Sequence, residues 1–150
     1  MSDPVGVLAH DHADLNRRVL ALGTVIRKLE GEPGVSGALI DSLTELRELL
    51  FLHFAREEEG LFPFVAEHVP DLAEQAREMA VAHDAICGAL ARMFHLASAA
   101  EAVAAIAPVF ERFEASYASH AATEARLLEQ LAPRLAPEAR DALTSILADV

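Results

Sequence analysis

The sequence predicts an all-α protein, an up-down-up-down four-helix bundle with a short C-terminal helix. Three observations carry that expectation. Apolar residues recur in alternating steps of three and four through four long segments, the periodicity of helices that bury one face. Glycine and proline gather between those segments. The composition, 53% hydrophobic with abundant Ala, Leu, Glu and Arg, is rich in helix formers. At 150 residues the chain reads as one domain over 1–150, long enough to bury about two thirds of its unfolded surface in a single core.

The first helix is expected over 5–30, with Val5, Leu8, His12, Leu15, Val19, Leu22, Ile26 and Leu29 facing inward. His12 therefore sits among core positions, whereas His10 and Asp11 fall off the face and read as solvated. Gly31-Glu32-Pro33-Gly34 ends the helix, Gly supplying positive φ and Pro preventing continuation. The second helix, 36–68, turns Leu39, Leu43, Leu46, Leu50, His53, Glu57, Leu61 and Phe64 inward. His53 and Glu57 stack one turn apart on that face. Glu58 and Glu59 lie off it and read as solubilising charge. Pro63 removes a backbone donor inside the pattern and is expected to kink or end the helix. His68, close to the break at Pro70, reads as a surface or capping residue.

Asp71 is the candidate N-cap of the third helix, 71–98, whose inward face is Leu72, Ala76, Met79, His83, Ile86, Leu90, Met93 and Ala97. Cys87 lies one turn after His83 and just beside that face; His95 points away. Ser98 to Glu101 forms the next turn. The fourth helix, 102–131, carries Val103, Ile106, Phe110, Phe113, Tyr117, His120, Glu124, Leu127 and Leu131, with Pro108 tolerable near its start. Pro133 and Pro137 then lead into the short amphipathic helix, 138–148, expected to cap one end of the bundle.

Charge and composition exclude several function classes. A net charge of −12 argues against nucleic acid or an anionic membrane as partner, because either requires a basic face. One cysteine excludes an internal disulfide. No apolar run is long enough to span a bilayer and Met1-Ser2-Asp3-Pro4 lacks the features of a signal peptide, so the expected location is cytoplasmic.

Four imidazoles and two carboxylates thus occupy inward positions on four helices, and an ionised carboxylate there costs several kcal/mol unless it is paired. Residues equally far from a shared turn of such a bundle lie at one height, since each residue rises about 1.5 Å. His12 matches His53 across the first turn, Glu57 matches His83 across the second, and His83 matches His120 across the third. All six residues, Glu124 included, are expected in one layer. A metal-free hydrogen-bonded network is one account; a metal cluster is the better one, since cations neutralise the carboxylates and take up the imidazole lone pairs. Nitrogen and oxygen donors without thiolate favour iron, manganese or zinc over a structural zinc clamp. Six side chains suit two ions, with Glu57 and Glu124 bridging and room for a bridging oxide or hydroxide and an exchangeable ligand.

The order of these motifs resembles the hemerythrin-like proteins, the HHE cation-binding domain family: Asp11-His12, then His53-Phe-Ala-Arg-Glu57 with Glu58, then His83-Asp84, then His120-Ala-Ala-Thr-Glu124. The resemblance covers essentially the whole chain. It implies that His12, His53, Glu57, His83, His120 and Glu124 ligate a non-haem di-iron centre. Oxygen-carrying hemerythrins are similar but place a second histidine four residues after that of the third helix and use His-x-x-x-x-Asp in the fourth; Cys87 and Ala125 stand there in this chain. One iron therefore has one ligand fewer, which favours direct binding of a small oxidant or diatomic gas over reversible oxygen storage. The expected activity is redox chemistry on peroxide, O2 or NO, with Tyr117 and Cys87 as candidate redox or proton-donating neighbours. An iron, O2 or NO sensor or buffer without turnover is the alternative, and a zinc- or manganese-stiffened structural bundle is a third. The oligomeric state stays open.

Overall fold

The computed structural model of the chain describes residues 3–29, 37–99 and 104–150. They form α1 (Pro4–Leu29), α2 (Gly37–Ala55), α3 (Phe62–His68), α4 (Ala73–Ala97), α5 (Ile106–Leu131) and α6 (Pro137–Ala148). Helix α1 packs on α2 and α5, and α4 packs on α2 and α5, so the four long helices close into a bundle. The expected turn at Gly31 to Gly34, together with Glu30, Ser36 and residues 100–103, lies outside the described residues.

Every long helix buries the face that its spacing selects. Leu8, Leu15 and Leu22 of α1, Leu39 to Leu50 at steps of three and four on α2, Ile86 and Leu90 of α4, and Phe113 and Leu127 of α5 are all essentially inaccessible. Each such side chain contributes about 1.5–3 kcal/mol relative to exposure. These residues form two apolar clusters rather than one. The first runs through Leu15, Leu22, Leu50, Phe54, Ile86, Phe113 and Tyr117. The second holds Leu8, Leu61, Phe62, Met79, Leu127 and the α6 residues Leu143 and Leu147. On each helix the gap between clusters falls where the polar residues stand: His12 between Leu8 and Leu15, Glu57 between Phe54 and Leu61, His83 between Met79 and Ile86, His120 and Glu124 between Tyr117 and Leu127.

The expected second helix, 36–68, is not continuous α-helix. Residues Arg56–Leu61 form a π-helical turn in which the Phe62 N–H donates to Glu57 O, five residues back. Pro63 is the physical reason: it has no N–H, and in a regular helix its ring would strike the carbonyl four residues earlier. Widening the preceding turn removes that clash and lets the helix resume as α3 instead of ending. The extra residue also brings Glu57, Gly60, Leu61 and Phe62 all to the interior. Gly60 has a packing role there, because a Cβ would lie 3.1 Å from both Ile146 and Leu147 of α6. Helix α6 thus seats directly on the π turn and covers that end of the bundle.

A second correction concerns Asp71. The chain passes through a short 3-10 turn, Pro70–Leu72, and α4 starts at Ala73 with no side-chain cap. The Asp71 carboxylate instead accepts two hydrogen bonds of 2.7 Å from the Arg134 guanidinium, a fork geometry stronger than a single capping bond. His68 is exposed, stacks on Phe64 and donates from Nδ1 to Phe64 O at 3.1 Å.

Candidate metal centre

The layer between the two clusters is assembled from four helices and the π turn. His53 Nε2 lies 3.0 Å from Glu57 Oε1 and 3.2 Å from Glu124 Oε2. His12 Nε2 also touches Glu124 Oε2. On the far side of Glu57, His83 Nε2 is 2.7 Å and His120 Nε2 3.6 Å from Glu57 Oε2. The donors fall into two groups compact enough for one ion each: His12, His53, Glu57 and Glu124, and Glu57, His83 and His120. Glu57 belongs to both.

These side chains are deeply buried. Glu57 and Glu124 are inaccessible, His53, His83 and His120 nearly so, while His12 retains 14% of its side-chain surface. Burial would push the Glu57 carboxyl up, yet His120, His53 and His83 hold it well below its usual value. Burial would likewise lower the His53 imidazolium, but Asp11, Glu124 and Glu57 overcome this and raise it to about 11. In the metal-free protein, the proton on His53 therefore stands in for a cation beside the carboxylates.

That substitution is incomplete. Although imidazole nitrogens stand beside the Glu57 oxygens, no contact has hydrogen-bond geometry at either Glu57 oxygen, at Glu124 Oε1, at His83 Nε2 or at either ring nitrogen of His120, all of them buried. Each unsatisfied buried polar atom costs about 1–3 kcal/mol, and native interiors rarely leave several together. Inward lone pairs of imidazole and carboxylate with no thiolate among them suit a hard or intermediate divalent cation. The residues present fit a metal on both counts.

Outward contacts fix the imidazoles. Nδ1–H of His53 donates to Asp11 Oδ2 at 3.4 Å, and Arg56 Nη1 holds the same oxygen at 2.8 Å. Nδ1–H of His83 donates to Glu58 Oε1 at 3.0 Å. Carboxylates on the outer nitrogen fix the tautomer and leave the inner Nε2 lone pair free for a metal. The His83 ring is further held by Phe54, stacked at 3.6 Å, and Phe62 at 5.7 Å. Asp11 and Glu58, expected as solvated charge, are thus part of the site. A residue next to an inward one lies only about 100° around the helix, at the seam with the neighbouring helix, and from there a carboxylate reaches the neighbour's histidine.

The family described as hemerythrin HHE cation binding domain matches residues 3–132. The chain belongs to the hemerythrin HHE family. No curated protein matches it. The matched span holds the whole bundle and all six converging residues, so a His/Glu cluster able to hold a metal in this hemerythrin-family protein rests on both sequence and geometry. No helix among the described residues is long and apolar enough to cross a membrane.

Tyr117 and Cys87 occupy different surroundings. The Tyr117 hydroxyl donates to Asn16 Oδ1 at 2.8 Å, and burial, with the charges of Glu124 and Glu57, pushes the phenol above its ordinary value. It is held as a neutral hydrogen-bond donor. Cys87 joins neither donor group; it is half-buried against the first apolar cluster. Burial and the charges of Glu58 and Asp84 push its thiol up, away from the thiolate that nucleophilic or redox chemistry requires.

Proposed function

We propose that this hemerythrin-family protein carries a non-haem di-iron centre and uses it in redox chemistry on small oxidants, with peroxide, O2 or NO as the class of ligand. One observation supports the reading above the rest: Glu57 stands between two donor groups, with Oε1 toward His53 and Oε2 toward His83. His12, His53, Glu57 and Glu124 would hold one ion, and Glu57, His83 and His120 the other. Bound iron would supply a Lewis-acidic, redox-active centre in a site otherwise without a redox group.

The chain's own residues prepare that chemistry. Asp11 and Glu58 orient His53 and His83 and raise their basicity toward a metal. The apolar clusters on both sides exclude bulk water, so charge interactions within the layer are stronger than at a surface. Tyr117 O–H, fixed by Asn16 one turn from His120, is held protonated beside the layer.

The reading is tested by loading iron(II) anaerobically and following peroxide consumption over many turnovers, with His120→Ala checked for retained helicity. Consumption well above that of free iron, lost in the variant, is expected. Consumption no faster than free iron would leave a sensing or buffering role, in which metal raises thermal stability by neutralising Glu57 and Glu124.

A further inference from the structure

Helix α6 lies beyond the residues that the family match covers, 3–132, yet it seats on the elements that carry the polar layer. It packs on α1 and on the π turn, and its buried Leu143 and Leu147 share one apolar cluster with Leu8, Leu61 and Phe62. Leu8 is one turn before His12 on α1. Leu61 and Phe62 close the π turn that Glu57 helps to open. One short helix therefore touches both elements that must bring His12 and Glu57 to the same ion.

The π turn is the densest part of the site. Arg56 Nη1 holds the Asp11 carboxylate that orients His53, Glu57 belongs to both donor groups, and Glu58 accepts from His83. Three consecutive residues thus reach α1, the centre of the layer and α4. Their placement depends on the widened turn, and Pro63 alone does not select it, because a kink or a helix end also avoids the proline clash. The contact at the far edge of the turn distinguishes these outcomes. Ile146 Cγ2 and Leu147 Cδ2 stand 3.1 Å from where a Gly60 Cβ would be, so α6 rests on the backbone of the turn itself. The Phe62 N–H bond to Glu57 O closes that same turn, which links the backbone under α6 to the residue shared by both donor groups. Metal donors must lie within about 0.2 Å of their places. Close-packed interiors transmit displacements of that size and do not absorb them.

We infer that α6 is a positioning element of the metal centre: it holds the π turn at Gly60 and packs on α1 in the cluster that contains Leu8, and so sets the reach between His12 and Glu57. Leu143 and Leu147 belong to neither donor group and act through the turn. Docking of α6 and binding of metal are therefore coupled. The inference rests on the metal-holding reading of the layer given above. Such coupling is reciprocal: what loosens α6 weakens metal binding, and metal tightens α6 by the same factor.

The test is the iron(II) affinity of the full chain, measured anaerobically by competition with a chelator. Leu147→Ala and Leu143→Ala, at wild-type helicity, should each weaken iron(II) binding about tenfold. Ile106→Ala opens a similar cavity in the other apolar cluster and should bind iron(II) as the wild type does. Wild-type affinity in a folded α6 variant, or an equal loss in Ile106→Ala, would overturn the inference. Should both α6 variants lose helicity, Gly60→Ala is the gentler change, since its Cβ makes α6 give by only a few tenths of an ångström. It should weaken binding by a smaller factor, and unchanged affinity would again overturn the inference. In the unaltered protein, iron(II) should slow amide hydrogen exchange over residues 143–147; exchange that ignores the metal would count equally against it. Wild-type protein that takes up no iron(II) would instead refute the metal-holding reading itself.

Discussion

The His12–His53 half of the polar layer and the His83–His120 half are made of the same residue types but differ in two respects that run in opposite directions. The first half offers more donors and is the more exposed, with His12 at 14% of its side-chain surface. The second offers fewer and is sealed by aromatic rings, with His83 at 3% and His120 at 0%. The half with more donors is thus the less deeply buried one.

The most drastic way to collapse the comparison is to remove the residue both halves share. Glu57→Ala should take metal content from two ions per chain to nearly none, as read by elemental analysis of the purified variant. Removing one histidine should instead separate the halves. His83→Ala is expected to retain the ion beside His12 and lose the other, whereas His12→Ala should retain the ion beside His83. Both are read as metal content of the purified variant, and loss of both ions from either one would erase the distinction.

Smaller effects should come from the outer carboxylates. Asp11→Asn weakens the hold on His53 and Glu58→Gln that on His83. Each should lower metal affinity about 10- to 100-fold, in its own half only. Competition with a chelator of known affinity resolves the two.

The mildest distinction is the pH dependence of the metal-free protein. Glu57 titrates well below its unfolded value of 4.5, so its stabilising contribution is present above that value and is lost as pH falls through the folded one. His53 titrates at about 11 against 6.5 unfolded, so its contribution is complete below 6.5 and is lost as pH rises from there toward 11. Thermal melts of metal-free protein should decline at both ends. Loaded protein should lack the decline between pH 7 and 9, because a metal-bound His53 is already neutral.

The six converging residues were legible in the sequence because a period of 3.6 assigns each an inward position, and the turn positions assign each a height. An imidazole or carboxylate on an apolar face is conspicuous against such a pattern. Asp11, Arg56 and Glu58 were not legible, since a residue at the seam between helices looks the same in one dimension as one facing water. Their partners, His53 and His83, are 42 and 25 residues away from Asp11 and Glu58. The π turn was half visible: Pro63 announced a conflict, but widening, kinking and termination all resolve it, and packing of α6 on Gly60 accompanies the first. Asp71 had the residue type of a cap and took Arg134 as its partner across 63 positions instead.

The most direct test of the central claim is the metal content and absorption spectrum of protein purified from iron-supplemented cells, before and after peroxide. The account predicts about two irons per chain, as in other carboxylate-rich bundle centres, and a near-ultraviolet band that changes when peroxide is added. One ion per chain, or zinc with no chromophore and no response to peroxide, would contradict it.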